Sequence, residues 1–248
     1  MTYSIALAGK GGTGKTTMAG WLIKYLVEKG KTPVLAVDAD ANANLNEVLG
    51  LDVDTTLGQA REEMKKGVAT GMTKDVFMEM KLQEAIVESS GFDLIVMGRP
   101  EGAGCYCAAN TLLTQYIEKL IDNYRFIVMD NEAGMEHLSR LTTNDIEILL
   151  VVSDATRRGL QAAFRIVELA DTLSLNIDRK VVVVNRAKVA ETDAIEQAVS
   201  GYDMEYLGMV PEDADVQKFD LEGRPTIELT TDCRAVAAAY RLFDKIID

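Results

Sequence analysis

The 248-residue sequence predicts an α/β fold: a single domain spanning residues 1–248, with a mostly parallel twisted sheet and helices on both faces. Three observations predict it. Short apolar, β-branched runs alternate with segments of helical period through most of the length. Each run gives way to a polar or Gly-rich loop, the place where open parallel sheets gather their ligands. No Pro/Gly-rich linker, internal repeat or low-complexity segment divides the chain. A hydrophobic content of 48% is enough for one sizeable core.

Taken in order, the first strand is Ser4–Ala8, and Lys15–Lys29 follows with helical spacing. The apolar run Pro33–Asp38 is the second strand. Thr55–Ser90 contains helical patterns but few strand signals, so it reads as an insertion of helices beside the sheet. Further strands are expected at Leu94–Gly98, Phe126–Asp130, Ile148–Ser153, Val181–Asn185 and Tyr206–Val210. Helices are expected at Asn110–Asp122, Arg157–Leu173, Ala190–Val199 and Cys233–Ile247.

Composition narrows the partners. With 26 basic against 39 acidic residues, the formal net charge is −13. That argues against nucleic acid, whose phosphates reward clustered Lys and Arg, and against an anionic membrane surface. No signal peptide is visible, and no apolar run approaches the roughly 20 residues of a spanning helix. The chain reads as soluble and cytoplasmic. Three cysteines, an odd number, do not make a disulfide framework.

Gly9-Lys10-Gly11-Gly12-Thr13-Gly14-Lys15-Thr16, followed by Thr17, joins the first strand to the first helix. This is the phosphate-loop spacing in the context it requires. Glycines let successive N–H groups point inward at a helix N-terminus and so form an anion cradle. Lys15 supplies a point charge to the terminal phosphates, and Thr16 offers a hydroxyl to Mg²⁺. The bland alternative is a merely Gly-rich strand-to-helix turn. Lys10 at the second position of the loop resembles the deviant Walker A motif of the MinD/ParA-like ATPases. That resemblance implies a homodimer in which Lys10 reaches the nucleotide of the partner protomer and stabilises charge on the transferred phosphoryl group.

The second strand ends in Asp38-Ala39-Asp40. In the resembled family the aspartate matching Asp40 activates water, and Asp38 would support the metal shell. Asp and Asn also favour Asx-turns and helix caps with no catalytic role. Asp130, closing another apolar run, fits a Walker B carboxylate opposite Thr16. Gly134, in Asp130-Asn131-Glu132-Ala133-Gly134, resembles the family's switch II glycine near the γ-phosphate. Glu132 departs from that spelling. His137, the sole histidine, reads as an ordinary helix or surface residue. Asn185-Arg186 and Pro211-Glu212-Asp213 resemble the two loops that enclose the adenine base.

Cys105 and Cys107 lie two apart in Arg99-Pro100-Glu101-Gly102-Ala103-Gly104-Cys105-Tyr106-Cys107. An extended segment points residues i and i+2 to the same side, so two thiolates can converge. Two are too few for a tight soft-metal site, but two pairs meeting at a dimer axis make four. The alternative is a pair of small buried apolar residues. Cys233 reads as structural. Together, the phosphate loop, Asp38-Ala39-Asp40 and the Cys-x-Cys segment resemble the CooC-type nickel-insertion ATPases. The resemblance covers essentially the whole chain. It implies an ATP-driven dimer that binds Ni²⁺ (or Zn²⁺ in the same site) between protomers. It also implies delivery to apo carbon monoxide dehydrogenase or acetyl-CoA synthase. Rival expectations are a partition or positioning ATPase, and an electron-transfer ATPase resembling nitrogenase iron protein with a bridging iron–sulfur cluster.

Overall fold

The computed structural model describes residues 2–66, 73–99, 118–131, 146–173 and 175–247. Eight described strands form one sheet: β1 (Tyr3–Ala8), β2 (Val34–Ala39), β3 (Ile86–Glu88), β4 (Phe92–Val96), β5 (Phe126–Asn131), β6 (Ile146–Asp154), β7 (Ile177–Ala187) and β8 (Glu205–Pro211). Their order is β3-β4-β2-β5-β1-β6-β7-β8. Every pairing is parallel except the antiparallel edge pair β3–β4.

β1, β2 and β5 are buried on both faces, which explains why they read as continuous apolar runs rather than alternating ones. One core layer packs Ile5, Leu7 and Val128 against helix α1 (Lys15–Glu28) and the C-terminal helix Arg234–Phe243. The other packs Leu35, Val37 and Leu149 against the helix Arg157–Thr172 and Leu57 and Leu82 of the insertion. Each fully buried Leu or Ile contributes about 1.5–3 kcal/mol. The expected mostly parallel sheet with helices on both faces is therefore present.

An aromatic cluster docks the C-terminal helix on α1. The Tyr25 and Tyr240 rings meet edge-on, with centroids 5.2 Å apart. Their hydroxyls donate to Asp244 (2.8 Å) and Glu28 (2.7 Å) respectively. Trp21 of α1 donates its indole N–H to the Thr226 carbonyl at 3.2 Å.

Several elements differ from expectation. The strand expected at Leu94–Gly98 runs Phe92–Val96 instead, because its pairing with β2 ends at Val96 opposite Asp38 and Gly98 has turned to φ 65°. The insertion holds the expected helices, Leu57–Lys66 and Lys74–Glu84, and also the three-residue edge strand β3. The C-terminal helix is shorter than Cys233–Ile247, with Cys233 as its N-cap. Two helices escaped the sequence pattern. Leu45–Leu49 is too short to show a period, and Ala214–Leu221 has no buried residue to mark a face. Of the helix expected at Asn110–Asp122, residues 110–117 lie outside the described residues, and Ile121–Asn123 is a 3₁₀ turn.

Candidate active site

The described candidate residues stand at the carboxyl ends of β1, β2, β5, β7 and β8, in the loops that follow, or, for Lys15, Thr16 and Thr17, in the first turn of α1. Gly9 leaves β1 so close to β6 that a β-carbon on it would lie 2.2 Å from the Val152 carbonyl oxygen. Lys10, Gly11 and Gly12 are exposed, whereas Thr13 is buried and its hydroxyl donates to the Lys10 carbonyl at 2.9 Å. Gly14 is the N-cap of α1 with φ 87°, and no side chain caps the helix there. An N-terminus in that condition, preceded by glycines, is suited to an anion. Lys15 begins the helix, is only 8% exposed, and its charge acts on Asp130.

Two carboxylates face each other across the central strands. Asp38 and Asp130 are direct register partners in the β2–β5 pair. Asp38 is fully buried and accepts the N–H of Asp40 (3.0 Å) and of Leu45 (2.9 Å), so one carboxylate pins both ends of the intervening loop. Burial pushes Asp38 up to about 7; Asp130 and Asp40 add to the rise, and the two N–H bonds oppose it. Burial likewise raises Asp130 to about 6, against the Thr16 hydroxyl that donates to it and the charge of Lys15. Asp130 Oδ1 has no hydrogen-bond partner among the described residues. A buried carboxylate with one free oxygen beside a threonine hydroxyl fits a hard divalent cation such as Mg²⁺. Asp40 is half-buried, and its Oδ1 accepts the N–H of Asn42 at 2.8 Å. The Asx-turn alternative is therefore also real at this position.

On the other side of α1, Asn185 and Arg186 end β7 against the phosphate loop. Asn185 Nδ2 donates to the Thr13 carbonyl at 2.9 Å, and Arg186 Nη1 donates to the Gly12 carbonyl at 3.2 Å. Next to them a cleft of 350 Å³ opens, lined by Thr17, Trp21, Asn185, Arg186, Pro211 and Glu212 among others. It is the size of a small-ligand subsite, with a mixed polar and apolar lining.

Sequence reasoning missed several residues of that cleft, Trp21 and Gln217 among them. Trp21 was hidden in the helical pattern, and Gln217 donates to Glu212 Oε1 at 2.7 Å. Asp213, the last residue of the Pro211-Glu212-Asp213 loop expected at the base, also lines the cleft. It caps Ala214–Leu221 through the Asp215 N–H and also accepts the Arg234 N–H at the start of the C-terminal helix. Burial works to raise its pKa, but the N–H groups of Asp215, Ala235 and Arg234 and the Cys233 thiol outweigh it and hold Asp213 below its ordinary value. An Asp directly ahead of Ala-Asp-Val-Gln was a legible cap signal. Cys233 is buried at this junction, and burial raises its thiol. Cys105, Cys107, Glu132, Gly134 and His137 lie outside the described residues.

The arrangement offers a phosphate cradle, a buried cation, a carboxylate–hydroxyl pair and an adjoining base-sized cleft in one row. The model of the CobQ/CobB/MinD/ParA nucleotide binding domain matches residues 4–227. An ATP-binding protein of Methanocaldococcus jannaschii is 40% identical over 249 residues, 98% of either chain. The carbon monoxide dehydrogenase accessory protein CooC of Rhodospirillum rubrum is 30% identical over 250 residues, 95% of this chain and 93% of CooC. The septum site-determining protein MinD of Pyrococcus horikoshii, solved with Mg-ADP, matches with a TM-score of 0.76 and 25% identity. That match covers 100% of this chain and 97% of MinD. Among the described residues no helix is long and apolar enough to cross a membrane. With its site geometry and these relatives agreeing, the chain belongs to the CobQ/CobB/MinD/ParA nucleotide-binding family and is a MinD/ParA-type ATPase.

Proposed function

We propose that this ATPase is a nickel-insertion accessory protein that matures carbon monoxide dehydrogenase or acetyl-CoA synthase. One observation carries the proposal: Cys105-x-Cys107 occurs in a chain that is similar to CooC over 95% of its length. In this reading Lys15 and the N–H groups from Gly9 to Thr17 hold the phosphates. Thr16 and Asp130 would hold Mg²⁺, supported by Asp38 and followed by Gly134 at the γ-phosphate. Mg²⁺, when bound, neutralises charge on the phosphoryl oxygens. Asp40 orients the attacking water, and exposed Lys10 reaches the nucleotide of a second copy of the chain. Asn185, Arg186, Pro211 and Glu212 border the base.

Nickel is the cargo of such a protein. Two Cys105/Cys107 pairs from an ATP-bound homodimer supply four soft thiolates, a set equally able to take Zn²⁺. ATP binding and metal binding then favour the same dimer, and linkage makes that preference reciprocal.

Anaerobic titration tests the proposal. One Ni²⁺ per dimer is expected, with protons released as the thiols ionise. Cys105→Ser/Cys107→Ser should abolish tight binding, while Cys233→Ser should not. Unaltered affinity in the double variant overturns the nickel reading and leaves a MinD/ParA-type ATPase with another task. The likeness to MinD favours a positioning ATPase as the second reading. Against it, the formal net charge of −13 disfavours the nucleic-acid or anionic-membrane contact that such a role needs. A brown protein with visible absorption would instead point to an iron–sulfur cluster.

A further inference from the structure

Arg186 has φ 56°, and Ala43 is the only other non-glycine in that region among the described residues. A side chain there is disfavoured by roughly 1–2 kcal/mol, so the surrounding structure must hold it. Two contacts do so. The Arg186 N–H bonds to the side-chain oxygen of Asn185 at 2.9 Å, and the guanidinium bonds to the Gly12 carbonyl at 3.2 Å. Asn185 in turn bonds to the Thr13 carbonyl at 2.9 Å. Two consecutive residues at the end of β7 thus hold two consecutive carbonyls of a loop more than 170 positions earlier in the chain.

The consequence follows from peptide geometry. In a trans peptide the carbonyl and the next residue's N–H point in opposite directions. Fixing the Gly12 and Thr13 carbonyls toward β7 therefore turns the N–H groups of Thr13 and Gly14 away from it. Thr13 N–H closes a turn onto the Lys10 carbonyl at 3.4 Å, and Gly14 opens α1. Gly12 and Gly14 have φ values of 80° and 87°, conformations many-fold more accessible to glycine than to other residues, so the loop itself does little to hold its peptides in place. Thr13 ties the loop internally to the Lys10 carbonyl, but the Gly12 and Thr13 carbonyls are held from outside it.

We propose that Arg186 is a positioning residue for the phosphate loop rather than only a border of the base cleft. Its left-handed backbone aims the guanidinium at Gly12, and the loop is thereby ordered before nucleotide arrives. Because Arg186 also lines the base cleft, the same side chain ties the two halves of the site together. The inference rests on nucleotide binding alone and stands whether or not nickel is the cargo.

Calorimetric titration with two probes, Mg-ATP and Mg-tripolyphosphate, tests it. Arg186 is exposed, so its replacement removes no core packing. Arg186→Ala should weaken both probes by about three- to tenfold, the scale of one lost hydrogen bond. Arg186→Lys, which retains a cation but not the fork, should recover part of that loss. Arg186→Gly removes the guanidinium while relieving the backbone, and it should resemble Arg186→Ala. If tripolyphosphate affinity is unchanged while ATP affinity falls, Arg186 serves the base alone and the proposal is overturned. Wild-type affinity for tripolyphosphate in Arg186→Gly overturns it equally.

Discussion

The side-chain amide of Asn185 occupies the space that a β-carbon on Gly14 would need: Nδ2 lies 2.4 Å from that position. The glycine is thus required twice, by its φ of 87° and by the approach of a side chain from β7, two strands away from β1 in the sheet. Gly14→Ala should lower stability by about 1–2 kcal/mol through the backbone alone. It should also weaken ATP binding by displacing Asn185 from the Thr13 carbonyl. Thermal unfolding and ATP titration check both effects. Adding Asn185→Ala removes the collision, so the double variant should be less impaired than the sum of the single ones. Simple additivity would contradict the contact.

The proposed roles of Lys15 and Asp40 predict separable failures. Lys15→Ala removes the buried cation and should weaken ATP binding itself. Asp40→Ala should leave ATP affinity near wild type while slowing hydrolysis by at least about a hundredfold, since only water orientation is lost. Equal loss of affinity in both variants rejects the assignment.

Lys10 is exposed and has a different task in this scheme. Lys10→Ala should bind ATP as a monomer and lose ATP-induced dimerisation and turnover. Sedimentation in the presence of ATP decides the matter, and a normal ATP-dependent dimer would refute the trans role.

Asp38 makes stability depend on pH in an unusual direction. Its value of about 7 lies above the ordinary 3.8, so the folded state binds its proton more tightly than the unfolded state does. The contribution is complete below pH 3.8 and disappears as pH rises through 7. Metal-free protein should therefore lose stability from this group between those limits, by up to about 1.4 kcal/mol per pH unit. Melting curves in a chelator, compared with Asp38→Asn, isolate it. The substitution costs a hydrogen bond at every pH, yet the fall with rising pH should be shallower. An identical slope in both proteins would exclude Asp38 as the source.

Asp213 works with the opposite sign. Its carboxyl is held below the ordinary value, so the stability it adds is present above that value and is lost as pH falls through the lower folded one. Asp213→Ala removes the cap of one helix and an N-terminal acceptor of another, each worth about 1 kcal/mol. Because it lines the cleft, the variant should also raise the KM for ATP with little change in kcat. A purely structural residue would lower Tm without moving KM.

The sequence by itself determined what is written within a few residues. Continuous apolar runs specify strands buried on both faces, and the glycine spacing from Gly9 to Gly14 specifies a loop with left-handed turns ahead of a helix. Asp38 and Asp130 were legible as strand-end carboxylates because the apolar runs stop there. The short elements were not: β3 has three residues, and Ala214–Leu221 buries no side chain to leave a period.

Only the tertiary structure decided which of these residues meet. Asp38 faces Asp130 because β2 and β5, nearly a hundred positions apart, pair in one register, and a slip of one residue would send the two carboxylates to opposite faces. Asn185 and Arg186 hold Thr13 and Gly12, and Asp213 caps two helices, because packing brings distant backbone groups within hydrogen-bonding reach. Local propensity acts over one helical turn or one strand pleat. Register and close approach are set by the whole sheet and the helices covering it, and no window of sequence contains them.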